Sequence, residues 1–387
     1  MRKCEKSHPW LTFAVDLSRA SHRLWMGIGA AQSKCEHIAN TPLMPGTSSR
    51  LHQLLLAKGV RATTAIEGNT LSEEEVRQRI EGRLRLPPSR EYLGREVDNI
   101  LGATNEILRR TLEESGRTTS VERIQEYNRW VLHGLELEGG VVPGAIPTHD
   151  VHVGGYTGAP PEDCHYLLER LREWMNESAL WIPGDSPIPT GLLKAILAHL
   201  YLALIHPFGD GNGRTARLME YEILVSAGVP SAAAHLLSNH YNQTREHYYR
   251  HLGEVSRPPY PVLGFVEYAV EGFVDGLAEH LDVIRAQEEQ VVWRDYVNER
   301  FHGKTSEANA RRRDVAIALW GAEESVPLQK IPELNTDLAR RYGQKTGKTL
   351  SRDLNALIAM GLVARDGRAY RARTEIMRQF LPPRVAE

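Results

Sequence analysis

Twelve consecutive residues carry most of the chemistry in this sequence: His206-Pro-Phe-Gly-Asp-Gly-Asn-Gly-Arg-Thr-Ala-Arg217. Gly209, Gly211 and Gly213 alternate with Asp210 and Asn212, so the backbone can curl tightly enough to turn several N–H groups toward one point. A helix starting near Arg214 would add its N-terminal dipole to that concavity, which then suits phosphate oxygens. Arg214 and Arg217 are three apart, hence on one helical face, and can clamp further phosphates with their forked donors. Thr215, between them, is grouped with the same binding set. Asp210 is the sole carboxylate in the loop and suits one ligand of a Mg²⁺ that keeps most of its water. A histidine beside such a cradle can act as general base on a hydroxyl, because its ordinary pKa lies near neutrality. The chemistry is therefore phosphoryl or nucleotidyl transfer.

The elements that must hold this loop are helical. An apolar stretch from Thr190 to Ile205 predicts a buried helix that delivers His206 at its end, where Pro207 stops it. That stretch is interrupted by Lys194 and His199, and its greasiest part, from Leu192, reads as too short to span a bilayer. Helical spacing also runs from about Ser48 to Arg110, broken by the loop at 84–89, and over 120–135, 162–176, 214–227 and about 244–290. Residues 141–161 differ: β-branched residues alternate with Gly and Pro, which predicts a hairpin or flap. Past 303–309 the texture changes to short helices at 311–320, 333–341 and 349–360, then alternating strands around Asp366-Gly367. Three helices and a hairpin predict a winged helix-turn-helix domain.

Composition sets bounds. The 387 residues carry 47 Lys+Arg and 49 Asp+Glu, a formal charge of −2, so no global field draws the chain to nucleic acid or acidic lipid and any basic site must be local. Three cysteines, Cys4, Cys35 and Cys164, form neither an even disulfide set nor a CxxC pair, which points to a reducing compartment and away from zinc. With no signal-like N-terminus, the expectation is a cytoplasmic protein without a membrane partner.

The loop resembles the signature of the Fic family, HPFx[DE]GNGRxxR, at every defined position from His206 to Arg217. The segment TTAIEGN at 63–69 is similar to that family's inhibitory motif, VHVGGY at 151–156 to its flap, and SNHYNQTREHYYRHL at 238–252 to its stretch with paired tyrosines; the likeness covers roughly residues 48–290. It implies a mainly α fold, a Fic helical bundle with a β-hairpin flap. The chain then divides into an N-terminal helical region (1–110), a catalytic core (111–290) and the winged-helix domain (305–376).

The resemblance further implies an enzyme that uses ATP and Mg²⁺ to place AMP on a Tyr, Thr or Ser hydroxyl of a target protein or of itself, releasing pyrophosphate. His206 would deprotonate the hydroxyl and Asp210 would hold Mg²⁺. Gly211, Asn212 and Gly213 would bind the α- and β-phosphates, with Arg214 adding a contact and Arg217 gripping the γ-phosphate. Glu67 would pair with Arg217 and block productive γ-phosphate placement. Its own residues allow this: Thr63 and Glu67 are one helical turn apart, and Gly68 suits a left-handed helix cap. Removal of AMP through the same site remains an alternative direction.

At the flap, Val153, Gly154, Gly155 and Tyr156 would line the nucleotide, and its edge would pair with an extended target segment. Tyr249, or its neighbour Tyr248, would meet adenine, although helical spacing also fits a core role. The C-terminal segment from Lys345 to Arg373 is locally basic, with Asp353 set against it on the candidate recognition helix. Binding of DNA, as a transcriptional regulator would, or of a protein are both open for it, and a homodimer is open for the whole.

Overall fold

The fold is described from a computed structural model, for residues 2–42, 45–113, 119–177, 187–322 and 324–378. Two compact units are separated at Leu281 and Asp282, each with its own apolar core.

In the first unit the helices are α1 (Cys4–Ser7), α2 (His22–Asn40), α3 (Pro45–Ala65), α4 (Glu73–Ile80), α5 (Glu91–Glu113) and α6 (Val121–Val131). A small hairpin of β1 (His152–Val153) and β2 (Tyr156–Thr157) precedes α7 (Pro161–Glu177), α8 (Ile188–Ile205), α9 (Asn212–Ser226), α10 (Leu236–Gln243) and α11 (Arg245–Val255). Helix α12 (Val262–Arg300) contains the boundary between the units. The fold is mainly α, as the helical periodicities predict, and four differences matter. Of the segment 141–161 only two pairs of residues form strands, because its Gly and Pro leave little backbone free to pair. The predicted helix over 244–290 is broken after Val255, where Pro258, Pro259 and Pro261 cannot supply N–H donors. The 120–135 helix stops at Val131, with Gly134 in left-handed backbone beyond it. Helices α1 and α2 lie before Ser48, where the sequence shows no helical spacing.

The core organises around α8. Its apolar residues are buried on all sides and it packs along α9, α7 and α2. Starting at Ile188, α8 is long and apolar enough to cross a membrane, contrary to the shorter span read from the sequence, but 83% of it is buried within the protein, as befits a central core helix. Each buried Leu or Ile contributes ~1.5–3 kcal/mol relative to exposure, so the C-terminal end of α8 is a rigid support. The three thiols are free and buried.

In the second unit α13 (Glu307–Trp320) is followed by β3 (Val326–Pro327), α14 (Thr336–Tyr342), α15 (Gly347–Ala359), β4 (Val363–Asp366) and β5 (Ala369–Ala372). The sheet order is β3-β5-β4, antiparallel throughout. Gly367, with φ 57°, makes the tight turn between β4 and β5. The sequence shows the three helices and the hairpin but not β3, which is too short to leave a pattern. Leu350, Leu354 and Leu357 of α15 are buried with Val315, Leu319 and Leu338.

Candidate active site

His206 caps α8 in left-handed backbone, φ 53° and ψ 54°. Pro207 disfavours right-handed helix at the residue before it, and the left-handed turn redirects the chain into the glycine loop. The Nδ1 of His206 lies 3.2 Å from the Ala203 carbonyl and donates to it, which leaves Nε2 as the bare acceptor. Burial pushes this imidazole's pKa below its ordinary value, against the upward pull of the Ala203 carbonyl, Glu67 and Asp210. The ring is therefore a neutral base at neutral pH.

The loop is stapled by its own side chains. Asn212 accepts from the Phe208 N–H at 2.9 Å and donates to the Phe208 carbonyl at 2.6 Å, while Phe208 is buried in the core. The Thr215 hydroxyl donates to the Gly211 carbonyl at 2.8 Å and is buried. The side chains of Asn212 and Thr215 are thus committed to shaping the loop, and what they offer a ligand is backbone. Gly211, with φ 76°, leads into α9, and the first N–H groups of that helix have no partner within it. Asn128 of α6, missed in the sequence, donates to the Asp210 carbonyl at 2.8 Å and accepts from Gly144 N–H at 2.8 Å. A buried polar residue at a helical position gives no periodic signal that would reveal it.

Both loop arginines are already engaged. Arg214 donates to Glu96 of α5 at 3.0 Å and to Asp210 at 3.3 Å. Glu96 also accepts from Asn69 at 2.8 Å, so one carboxylate ties the turn after α3 to the loop. Arg217, only 1% exposed, donates to Glu67 at 2.5 Å and to the Thr63 carbonyl at 3.0 Å. Helix α3 ends at Ala65 rather than at Glu67, and the Ile66–Gly68 turn, with Gly68 at φ 100°, aims the glutamate inward. A Cβ placed on Gly213 would stand 2.2 Å from Glu67 Oε1. The glutamate carboxylate therefore rests on the first turn of α9, where an anion is favoured. Burial raises the pKa of Glu67, but the charge and hydrogen bond of Arg217 and the charge of Arg214 outweigh it and hold it below the ordinary carboxylate value. Glu220, one turn beyond Arg217, does not compete: burial pushes its pKa up to about 8, and it accepts from the Tyr241 hydroxyl at 2.9 Å.

The flap stands next to His206. Ala159 N–H donates to the Ile205 carbonyl at 2.9 Å, and the Tyr156 hydroxyl donates to the Leu204 carbonyl at 2.5 Å. Val153 and Gly154 at its tip are exposed, as is Gly155. From behind, the N-terminal segment braces it: His8 Nε2 lies 3.0 Å from the Thr157 carbonyl, and the Trp10 ring packs against His8. Tyr249 is exposed, whereas Tyr248 is buried and bonded to His199 at 2.9 Å. Of the two tyrosines only Tyr249 is open to a ligand. Asp210 is half exposed; among the described residues no group of three or more His, Cys, Asp or Glu could hold a metal by itself.

A helical bundle that presents a glycine loop at a helix N-terminus beside a short flap is the Fic fold. Residues 118–224 match the Fic/DOC family, and that part of the chain is a domain of this family. The chain is 35% identical over 194 residues to the protein adenylyltransferase fic-1 of Caenorhabditis elegans, covering 49% of this chain and 34% of that protein. It is 30% identical over 220 residues to the protein adenylyltransferase Fic of Nematostella vectensis, covering 55% and 46%. The chain thus spans less than half the length of these curated relatives. Among solved structures, a Fic family protein from Desulfovibrio desulfuricans aligns over 91% of this chain and 96% of its own, with TM-score 0.55 and 20% identity. The Fic-1 fragment of C. elegans aligns over 68% and 73%, with TM-score 0.55 and 24% identity. These two likenesses concern the fold.

Proposed function

We propose that this protein is an ATP-dependent protein adenylyltransferase restrained by Glu67. The observation that carries the transfer reading is His206, its Nδ1 spent on Ala203 and its Nε2 without a partner among the described residues, at the head of a loop that opens the N-terminus of α9. Similarity to curated adenylyltransferases supports ATP as the donor. His206 Nε2 takes the proton of a Tyr, Thr or Ser hydroxyl; the hydroxyl oxygen bonds to the α-phosphorus of ATP, and the bond from that phosphorus to the pyrophosphate oxygen breaks. The α9 N-terminus and the loop N–H groups stabilise the charge that develops. Mg²⁺ fits the donor set, since it needs one or two carboxylates with waters and phosphate oxygens. Asp210, half exposed at the rim, would hold it, and the ion would offset charge on the phosphates.

The restraint follows from the Arg217 pair. A γ-phosphate seeking Arg217 must displace a carboxylate that already holds that guanidinium and rests on the same helix N-terminus. The flap edge at Val153 places an extended target segment beside His206 by strand addition. Incubation with α-labelled ATP and Mg²⁺ is the test: label on protein that is absent with γ-labelled ATP and absent in His206→Ala supports AMP transfer. Label from the γ-position instead would replace this reading with a kinase.

A further inference from the structure

We infer that the second unit binds duplex DNA through the exposed face of α15 and the β4-β5 turn. The inference is independent of AMP transfer and rests on where the charges of this unit lie. In the sequence Asp353 weakens such a reading, because a carboxylate on the recognition helix repels phosphate. The structure removes that objection. Asp353 is 2% exposed, accepts from Arg312 at 2.8 Å, Arg311 at 3.2 Å and the Tyr342 hydroxyl at 3.0 Å, and serves as the buried counter-charge that docks α15 on α13 and α14.

The polar side chains that α15 leaves exposed include Lys348, Arg352 and Asn355, at spacings of four and three and hence on one face. Neither cation has a carboxylate partner among the described residues, in contrast to Arg311, Arg312, Arg313 and Arg341, which are all paired. Helix α15 follows α14 after a four-residue connection, the order of a helix-turn-helix, and β4 packs on it. Exposed Arg365 near the end of β4 and exposed Arg368 flank the Asp366-Gly367 turn, where the one acidic side chain, Asp366, accepts from the Ser325 hydroxyl at 3.0 Å. An α-helix fits the major groove, and a cationic hairpin next to it can follow the backbone. The face is polar, with Ile358 at its far end the one large apolar residue of α15 counted as exposed, so a phosphate backbone complements it better than an apolar protein surface. The chain as a whole is slightly acidic, which confines binding to this patch.

The test uses the full chain and a fluorescent 30-base-pair duplex of mixed sequence, read by anisotropy. With four cations engaged, the affinity should fall roughly a hundredfold between 50 and 200 mM salt, with a log–log slope of about −4. The double variant Lys348→Glu/Arg352→Glu should lose at least tenfold and flatten the slope by about two. Lys348→Gln/Arg352→Gln should lose less, and the charge-matched control Lys6→Glu/Arg257→Glu should bind as the parent does. Unchanged circular dichroism melting keeps the variants interpretable, with the Gln pair standing in should the Glu pair melt early. No binding at 50 mM salt, equal loss in the control, equal affinity for polyglutamate, or tighter binding to double-stranded RNA would each overturn the proposal.

Discussion

At the scale of single residues, the site is defined by which atoms are already spent. His206 has one nitrogen committed and one bare, and its pKa is held down by burial. The proposed base is active when neutral, so the sign is clear: kcat/KM falls as pH drops through the His206 pKa, and that acid limb lies below the ordinary imidazole value of about 6.5. A pH–rate profile checks it, and His206→Ala should cost roughly 10²–10⁴ in kcat. Glu67 supplies the complementary prediction. Its charge-assisted bond to Arg217 is worth ~1.5–3 kcal/mol, so Glu67→Gly should raise self-modification by roughly 10- to 100-fold. The same variant leaves a buried guanidinium short of its counter-ion, so its melting temperature without ATP should drop and should recover more than the parent's when ATP is added. A Glu67→Gly protein no more active than the parent would end the self-restraint reading.

At the scale of elements, the loop depends on neighbours far away in sequence. Asn128 on α6 holds the Asp210 carbonyl and Gly144, so Asn128→Ala strands buried groups and should cost about 2–3 kcal/mol. Denaturant titration measures that loss. The flap is short and leans on the N-terminal segment through His8 and Trp10. With His8→Ala, amide exchange across residues 152–158 should speed up about tenfold, while exchange in α8 stays as it was. A glutamine at position 8 can still donate to the Thr157 carbonyl and should recover part of the protection. Flap exchange that ignores position 8 would show that the segment lies against the flap without supporting it.

At the scale of the whole molecule there are two cores, one built around α8 and one joining α13, α14 and α15. Two cores predict unfolding that departs from a single two-state transition. ATP should shift the transition of the unit that holds the loop and leave the other in place, because ligand stabilises only what it binds. Scanning calorimetry with and without ATP and Mg²⁺ reads both. One transition, moved as a whole by ATP, would mean that the units unfold together.

The sequence by itself determined the chemistry of the loop. Glycines, an aspartate and two arginines at fixed offsets need no distant partner to suggest a phosphate cradle, and the helical spacing of α5 and the apolar run of α8 declare themselves locally. Glu67 was legible too, through the likeness of TTAIEGN to the inhibitory motif rather than from its helix end alone, and its pairing with Arg217 is what the fold shows. What only the tertiary structure decided is how those groups are spent. Glu96 and Asn128 lie on other helices, and no local pattern marks a polar side chain that will be buried against a loop 82 or more residues away. The same holds for Arg217, whose chemistry allows it to grip a phosphate, but whose burial beside Glu67 sets what a phosphate must displace. It holds again for Asp353, an acidic residue in the sequence that the fold turns into an internal counter-ion. Local composition names the donors and acceptors, and long-range packing assigns their partners, because an ion pair or a buried hydrogen bond forms between groups that only the folded chain brings within 3 Å.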